Sequence, residues 1–213
     1  MAPATARPLP RFLALGDSYT IGEGVPESGR WPVQLAELLA DAGHPVAGPR
    51  IIATTGWTTD ELDAGIDAAQ PVGPFELVSL LIGVNNQYRG RPLDEYRGQF
   101  SALLERAIGL AGGHAARVMV LAIPDWGVTP FAVAKGRDPQ LIATELDAFN
   151  AAARETCTAR GSHFVDTAPT SRNRGAEPAM LADDGLHPSA ALYALWAHQA
   201  LPAARAILTG TTP

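Results

Sequence analysis

The chain has 213 residues, of which 46% are hydrophobic and 18% are charged, and its net charge is −6. This length suits a single domain spanning residues 1–213, with a lead-in at 1–10 and a tail at 209–213; folding would bury about 70% of its surface. The acidic balance excludes a protein that binds nucleic acid through a basic surface. The single cysteine, Cys157, excludes an internal disulfide.

Strand-like and helix-like segments alternate along the chain. Apolar runs of strand length occupy residues 11–15, 50–54, 75–82, 117–123 and 163–166. Segments with helical periodicity follow at residues 31–42, 59–69, 92–111, 139–160 and 189–208. Thr58 with Glu61 forms a capping box, and Asp138 before Pro139 is a second helix start.

The apolar runs do not alternate with polar residues, which is typical of strands buried on both faces. The order of elements therefore predicts an α/β fold, a three-layer α/β/α sandwich with a five-stranded parallel sheet. The longest apolar run, residues 118–123, is too short to span a bilayer. Residues 1–10 have no apolar region of a signal peptide, so we expect a cytoplasmic location without a membrane span.

Polar residues suited to acyl transfer follow the strands at one edge of the predicted sheet. Ser18 follows the first strand, Gly56 the second and Asn85 the third, while Asp184 and His187 precede the last helix. In open parallel sheets ligands bind beyond the carboxyl ends of the strands. Acyl transfer needs a nucleophile, a base, a group that orients the base, and donors for the oxyanion. These residue types supply all four.

The chemistry assigns each residue a candidate role. The Ser18 hydroxyl is a nucleophile, and a neutral His187 before a helix start is a general base. Asp184 lies three residues before the histidine, about one turn, so both side chains can share a face. Gly56 lets its backbone N–H approach a substrate closely, and Asn85 offers an uncharged side-chain donor.

These residues resemble the SGNH hydrolases of the GDSL esterase/lipase superfamily. The resemblance rests on four blocks that occur in order: residues 16–18 with Gly22, Gly56, residues 83–86, and residues 184–188. It implies a flavodoxin-like fold, a metal-independent and cofactor-free hydrolase, Ser18, Asp184 and His187 as the catalytic triad, and Ser18, Gly56 and Asn85 as the oxyanion hole. The family spacing selects Asp184 over Asp183. The sequence departs from the family at Asn86, where the usual residue is aspartate, which puts the support of this loop in doubt.

The expected function is a serine esterase that acts on small or medium carboxylic esters through an acyl-enzyme. Four aromatic residues near the same edge are candidates for lining the substrate site: Trp57, Tyr88, Trp126 and Phe131. An acyltransferase using the same site is one alternative, and a non-catalytic flavodoxin-like ligand-binding module is another. The physiological ester and the oligomeric state are not indicated by the sequence.

Overall fold

The computed structural model describes residues 8–211. In this range five parallel strands form one sheet in the order β2-β1-β3-β4-β5. The strands are β1 (Phe12–Gly16), β2 (Arg50–Ala53), β3 (Leu77–Leu81), β4 (Val118–Leu121) and β5 (His163–Val165). The predicted five-stranded parallel sheet is confirmed. Residues 1–7 of the predicted lead-in and 212–213 of the predicted tail lie outside the described residues.

Every residue of β1, β3 and β4 is buried, which explains why these runs carry no polar alternation. The helices of the described residues are α1 (Ser18–Ile21), α2 (Trp31–Asp41), α3 (Thr59–Ala69), α4 (Val84–Tyr88), α5 (Leu93–Leu110), α6 (Pro130–Ala134), α7 (Pro139–Arg160), α8 (Ala168–Arg174) and α9 (Ala190–Thr209). Helices α2 and α9 pack together over one face, while α3, α5 and α7 pack in sequence over the other. The sheet is thus the middle layer of three.

The five long helices agree with the predicted segments within a residue or so at each end. Both predicted starts are present: the Thr58 N–H donates to Glu61 Oε2 at 2.8 Å, and Asp138 Oδ1 accepts from Gln140 N–H at 2.9 Å. The four shorter helices, α1, α4, α6 and α8, lie outside the predicted helical segments. Each has seven residues or fewer, too short to show a helical repeat of apolar residues.

In the sheet, β1 has β2 on one side and β3 on the other. The chain therefore adds strands first to one side of β1 and then to the other, and the strand order reverses between β1 and β3. This is the order of flavodoxin-like folds, and such a reversal opens a crevice at the carboxyl ends of the two strands. Ser18 follows β1 and Asn85 follows β3, so the topology places both residues at the crevice. Among residues 8–211, no helix is both long and apolar enough to cross a membrane.

Candidate active site

Ser18 is the first residue of α1 and is held there by a side-chain cap. Asp17 Oδ1 accepts a hydrogen bond from the Tyr19 N–H at 3.0 Å, which fixes the turn between β1 and α1. The first N–H groups of a helix have no partner inside the helix, so the Ser18 N–H is available to a ligand. The side chain is nearly buried and lines a cavity. Ser18 therefore offers two groups to a ligand, a side-chain hydroxyl and a backbone N–H.

The Asp17 carboxyl itself is buried and only half satisfied. Within residues 8–211, its second oxygen, Oδ2, has no hydrogen-bond partner. Burial raises the pKa of Asp17 to about 7, and the hydrogen bond from the Tyr19 N–H opposes this shift only in part. Asp17 is consequently a structural group of the turn whose charge depends on pH in the neutral range.

His187 lies in a tight loop before α9. The loop is closed by a bridge between Leu181 and Pro188, and the Ala182 N–H donates to the His187 carbonyl at 2.8 Å. Asp184 Oδ1 accepts from the backbone N–H groups of Leu186 and His187, each at 2.9 Å. Asp184 Oδ2 lies 2.5 Å from His187 Nδ1. The carboxylate thus orients the imidazole and leaves its Nε2 for another partner.

The same contacts keep Asp184 ionised. Partial burial by itself would raise the pKa of Asp184, but hydrogen bonds from the His187 ring and from two backbone N–H groups outweigh it. The net pKa lies below the ordinary value for aspartate. A negatively charged partner favours a positive charge on the His187 imidazole ring.

Gly56 occupies a tight turn after β2, closed by a hydrogen bond from the Trp57 N–H to the Thr54 carbonyl at 3.2 Å. Its φ of +88° is disfavoured for residues with a side chain, so the position requires glycine. Arg89 Nη2 donates to the Gly56 carbonyl at 2.6 Å, and Arg89 Nη1 lies 3.2 Å from Glu61 Oε1. The turn is therefore fixed by its own backbone and by a cation directly after α4.

Asn85 lies in the first turn of α4, which begins after Gly83 at the end of β3. Gly83 has φ +127°, and a Cβ there would come within 2.5 Å of the Tyr96 ring. The Asn85 Nδ2 donates to the Trp57 carbonyl at 2.9 Å, so one of its two N–H bonds remains for a ligand. This contact also joins Asn85 to the turn that contains Gly56.

Asn86, the departure from the family pattern, is fully buried, and both its amide oxygen and its amide nitrogen are hydrogen-bonded. Its Oδ1 accepts from the Thr59 N–H at 3.1 Å, and its Nδ2 donates to Thr59 Oγ1 at 2.7 Å. The Thr59 hydroxyl in turn donates to the side chain of Gln99. A neutral amide therefore connects α4 to the start of α3 without burying a charge.

A cavity of about 200 Å³ brings these groups together. Ser18, Gly56, Asn85 and His187 line it, as do three of the four predicted aromatic residues, Tyr88, Trp126 and Phe131. Four further lining residues were not predicted: Tyr19, Thr55, Val84 and Leu186. Each of them is directly next to a predicted site residue in the sequence. Their position beside the motifs was the signal that could have found them.

Trp57 differs from the expectation that it lines the site. Its indole lies over Gly65 of α3, where a Cβ would come within 2.2 Å of the ring. The turn at Gly56 directs the following residue away from the cavity and against this helix. Trp57 contributes to the site through its backbone carbonyl, which accepts from Asn85, rather than through its ring.

The aromatic wall of the cavity is fixed by buried polar contacts. Trp126 Nε1 donates to Gln87 Oε1 at 2.8 Å, and the rings of Tyr88 and Trp126 meet edge to face at 5.3 Å. Before the tryptophan, Asp125 accepts from the Gly127 N–H at 2.9 Å and from Arg172 Nε at 2.7 Å. The segment after β4 is therefore a rigid wall and not a loose connection.

A family model describing the GDSL-like lipase/acylhydrolase family matches residues 14–195, which include every residue of the cavity. The chain belongs to this family. The match confirms the resemblance drawn from the four blocks, and membership in this GDSL/SGNH family makes the protein a hydrolase of the esterase and lipase type. No curated protein sequence gives a significant match to the chain.

Solved structures with the family fold superpose over nearly the whole chain. A structure of TesA is 20% identical with a TM-score of 0.74, covering 92% of this chain and 99% of that one. A lipase/acylhydrolase from Enterococcus faecalis is 19% identical with a TM-score of 0.69, covering 96% and 98%. Axe2, an acetylxylan esterase from Geobacillus stearothermophilus, is 22% identical with a TM-score of 0.67, covering 92% and 94%. At these identities the likeness to the family structures establishes the fold.

Proposed function

We propose that this protein is a serine esterase in which Ser18 is the nucleophile, His187 the general base and Asp184 the group that orients the base. The observation that carries the proposal is that Ser18 and His187 line one cavity while His187 Nδ1 is paired with Asp184 at 2.5 Å. Family membership supports ester chemistry, and the structural neighbours include an acetylxylan esterase and a lipase/acylhydrolase.

In the acylation step, the Ser18 Oγ forms a bond to the ester carbonyl carbon while its proton passes to His187 Nε2. The negative charge that develops on the carbonyl oxygen is stabilised by the N–H groups of Ser18 and Gly56 and by Asn85 Nδ2. When the carbonyl re-forms, the bond to the alcohol oxygen breaks and that oxygen takes the proton from His187.

Deacylation repeats the same path with water. His187 Nε2 takes a proton from water, the hydroxyl oxygen bonds to the acyl carbon, and the Ser18 oxygen leaves with the proton returned by His187. The products are a carboxylic acid and an alcohol, and the protein is regenerated. The Asp184 carboxylate stays ionised throughout because its pKa is lowered by the contacts described above.

The size of the cavity indicates the class of ester. Its volume of about 200 Å³ is below the roughly 300–1,000 Å³ of sites that enclose a drug-sized ligand. We therefore expect short or medium acyl groups to be preferred over long unbranched chains. Tyr19, Val84 and Leu186 give this space an apolar lining suited to hydrocarbon.

The decisive test is hydrolysis of 4-nitrophenyl acetate and butyrate by the wild type and by Ser18→Ala, with EDTA present. We expect turnover in the wild type and a loss of at least about 10³-fold in kcat for the variant. Ser28→Ala, an exposed serine in a neighbouring turn, is the matched control. Full activity of Ser18→Ala would refute the assignment of the nucleophile.

A second measurement distinguishes the loss of the nucleophile in Ser18→Ala from a loss of activity through misfolding. A fluorophosphonate should label the wild type with one adduct on Ser18, detected by mass spectrometry of peptides, and should leave Ser18→Ala unlabelled. Thermal denaturation of both proteins checks that the variant is folded. Including an acceptor alcohol in the wild-type assay shows whether the acyl group is passed to water or to an alcohol.

A further inference from the structure

Two cations lie against the aromatic wall of the cavity. The Arg137 guanidinium carbon is 5.4 Å from the ring centre of Tyr88 and also 5.4 Å from that of Trp126. Lys135 Nζ lies 5.4 Å from the ring centre of Phe131. Both residues come from the short connection between α6 and α7. All three aromatic rings line the cavity that contains Ser18 and His187.

Arg137 differs from most arginines of this chain in having no anionic partner. Eight described arginines form ion pairs with carboxylates. Within residues 8–211, Arg137 makes neither an ion pair nor a side-chain hydrogen bond, although it is half-buried. The carboxylate next to it in the chain, Asp138, caps α7 instead.

A guanidinium that lies over an aromatic ring can still donate hydrogen bonds through its N–H groups. Its attraction to a ring comes from the positive charge over the ring, whereas its five N–H bonds lie in the guanidinium plane. These N–H bonds match a carboxylate or a phosphate in a two-point contact. Arg137, half-buried and 5.4 Å from two ring centres, therefore keeps N–H donors for an anion while its side chain is already partly confined.

We propose that the preferred ester substrates carry an anionic group, a carboxylate or a phosphate, that binds Arg137 at the aromatic end of the cavity, with Lys135 as the second cation. This inference rests on the proposed esterase function. It assigns specificity to a residue that lies outside the four sequence blocks. The reacting ester would lie at Ser18 and the anion along the Tyr88 and Trp126 side.

The charges around the rest of the site favour this orientation over the reverse. Thr55 lines the cavity and donates a hydrogen bond to the Glu23 carboxylate, so a negative charge stands on that side. Arg89 is already occupied by the Gly56 carbonyl and by Glu61. The net charge of −6 gives anions no long-range attraction, which leaves the local pair Arg137 and Lys135 to hold the group.

The test compares matched anionic and neutral esters. The 4-nitrophenyl monoester of glutaric acid against 4-nitrophenyl pentanoate places the charge on the acyl group. The pair 4-acetoxyphenyl phosphate and 4-methoxyphenyl acetate places it on the leaving group. The quantity measured is the ratio of kcat/KM for the anionic ester over the neutral one, in the wild type, Arg137→Gln, Arg137→Lys and Lys135→Gln. Arg205→Gln is the control, since Arg205 is an exposed arginine near the far end of α9.

We expect the ratio of at least one pair to fall about tenfold in Arg137→Gln, mainly through KM, because a charge-assisted contact is lost. Arg137→Lys should recover part of the loss, Lys135→Gln should lower the ratio less, and Arg205→Gln should leave it unchanged. The pair that responds identifies the end of the substrate that carries the anion. Raising the salt concentration should reduce the wild-type ratio.

The outcomes separate this inference from the proposed function. If the wild type cleaves neutral esters in a manner that depends on Ser18, but the ratio is the same in wild type and Arg137→Gln for both pairs, the anion site is refuted and the esterase stands. If Ser18→Ala cleaves all four esters at the wild-type rate, the proposed function is refuted, and the proposal for Arg137 that rests on it is refuted with it. A loss in Arg137→Gln that is equal for neutral and anionic esters would show that Arg137 only supports the wall.

Discussion

The Asp184 carboxylate holds His187 at two points, the ring Nδ1 at 2.5 Å and the backbone N–H at 2.9 Å. In Asp184→Asn an amide can replace the backbone contact, but its NH₂ group would face Nδ1 and favour the wrong ring tautomer. We expect kcat to fall by roughly 10³–10⁴-fold with little change in KM. Asp183→Asn, an exposed neighbour, is the matched control for steady-state assays of ester hydrolysis. Similar activity in both variants would contradict the role of Asp184.

Asn85 provides a donor whose loss should be visible in the chemical step. Its Nδ2 contacts the Trp57 carbonyl at 2.9 Å and keeps a second N–H, the one proposed to donate to the oxyanion. Asn85→Ala should lower kcat by about 10²–10³-fold. Steady-state kinetics with an activated ester measure this loss, and Asn173→Ala on the exposed side of α8 is the comparison. A change confined to KM would mean that Asn85 only contacts the substrate.

Arg89 should act on catalysis through the turn at Gly56. It donates to the Gly56 carbonyl at 2.6 Å, whereas its ion pair with Glu61 is exposed and contributes little to stability. We expect Arg89→Ala to lower kcat by about tenfold while the melting temperature changes by only a few degrees. Arg97→Ala removes an equally exposed pair, with Glu155, away from the cavity. Equal kcat values in the two variants would rule out a positioning role for Arg89.

Asn86→Asp restores the usual family residue and tests why this chain departs from it. The new carboxylate could still accept from the Thr59 N–H, but it could no longer donate to the Thr59 hydroxyl. That hydroxyl would have to turn away from Gln99 to donate to the aspartate. We expect a loss of about 1–2 kcal/mol in the free energy of unfolding, measured by urea denaturation, with catalysis retained. An increase in stability would show that the Gln99 contact is unimportant.

The buried Asp17 carboxyl makes stability depend on pH. Its pKa is raised from 3.8 to about 7 in the folded protein, so the folded state holds this proton more tightly than the unfolded state. The stabilising contribution is complete below about pH 4 and is lost as the pH rises through about 7, an effect of about 4 kcal/mol. Asp17→Asn can keep the cap to Tyr19 but cannot ionise.

We therefore expect Asp17→Asn to gain stability relative to the wild type as the pH is raised from 4 to 8. Urea denaturation at several pH values measures the difference, and Asp41→Asn, at an exposed aspartate that ends α2, should show no such trend. Parallel stability curves for wild type and Asp17→Asn would mean that Asp17 stays ionised in the folded protein.

The sheet and the five long helices were predictable because burial imposes a pattern on long segments. Residues 118–121 are apolar throughout since both faces of β4 are covered, and that requirement is visible without a structure. The short helices α1 and α4 were not predictable, because a helix of about one turn is stabilised by contacts with segments that are distant in the sequence. Asn86, for example, is joined to Thr59, 27 residues earlier in the chain.

The same distinction applies to the site. Ser18, Gly56, Asn85 and His187 could be expected to meet because parallel strands end at one edge and each residue follows a strand or precedes a helix. The direction of an individual side chain could not be predicted in this way. Trp57 packs on Gly65 because the preceding turn reverses the backbone, and Arg137 reaches Tyr88 from a connection far along the chain.

Helix α4 has only five residues, yet the side chains of Asn85 to Tyr88, and of Arg89 directly after the helix, contact four different parts of the protein. Asn85 and Arg89 contact the turn at Gly56, Asn86 contacts α3, Gln87 holds Trp126, and Tyr88 meets Arg137. Mutations that reshape the aromatic wall should therefore also shift the proposed oxyanion donors, Gly56 and Asn85. Their effects should be non-additive, so a change of substrate range in this protein will evolve together with turnover, through epistasis within a single helical turn.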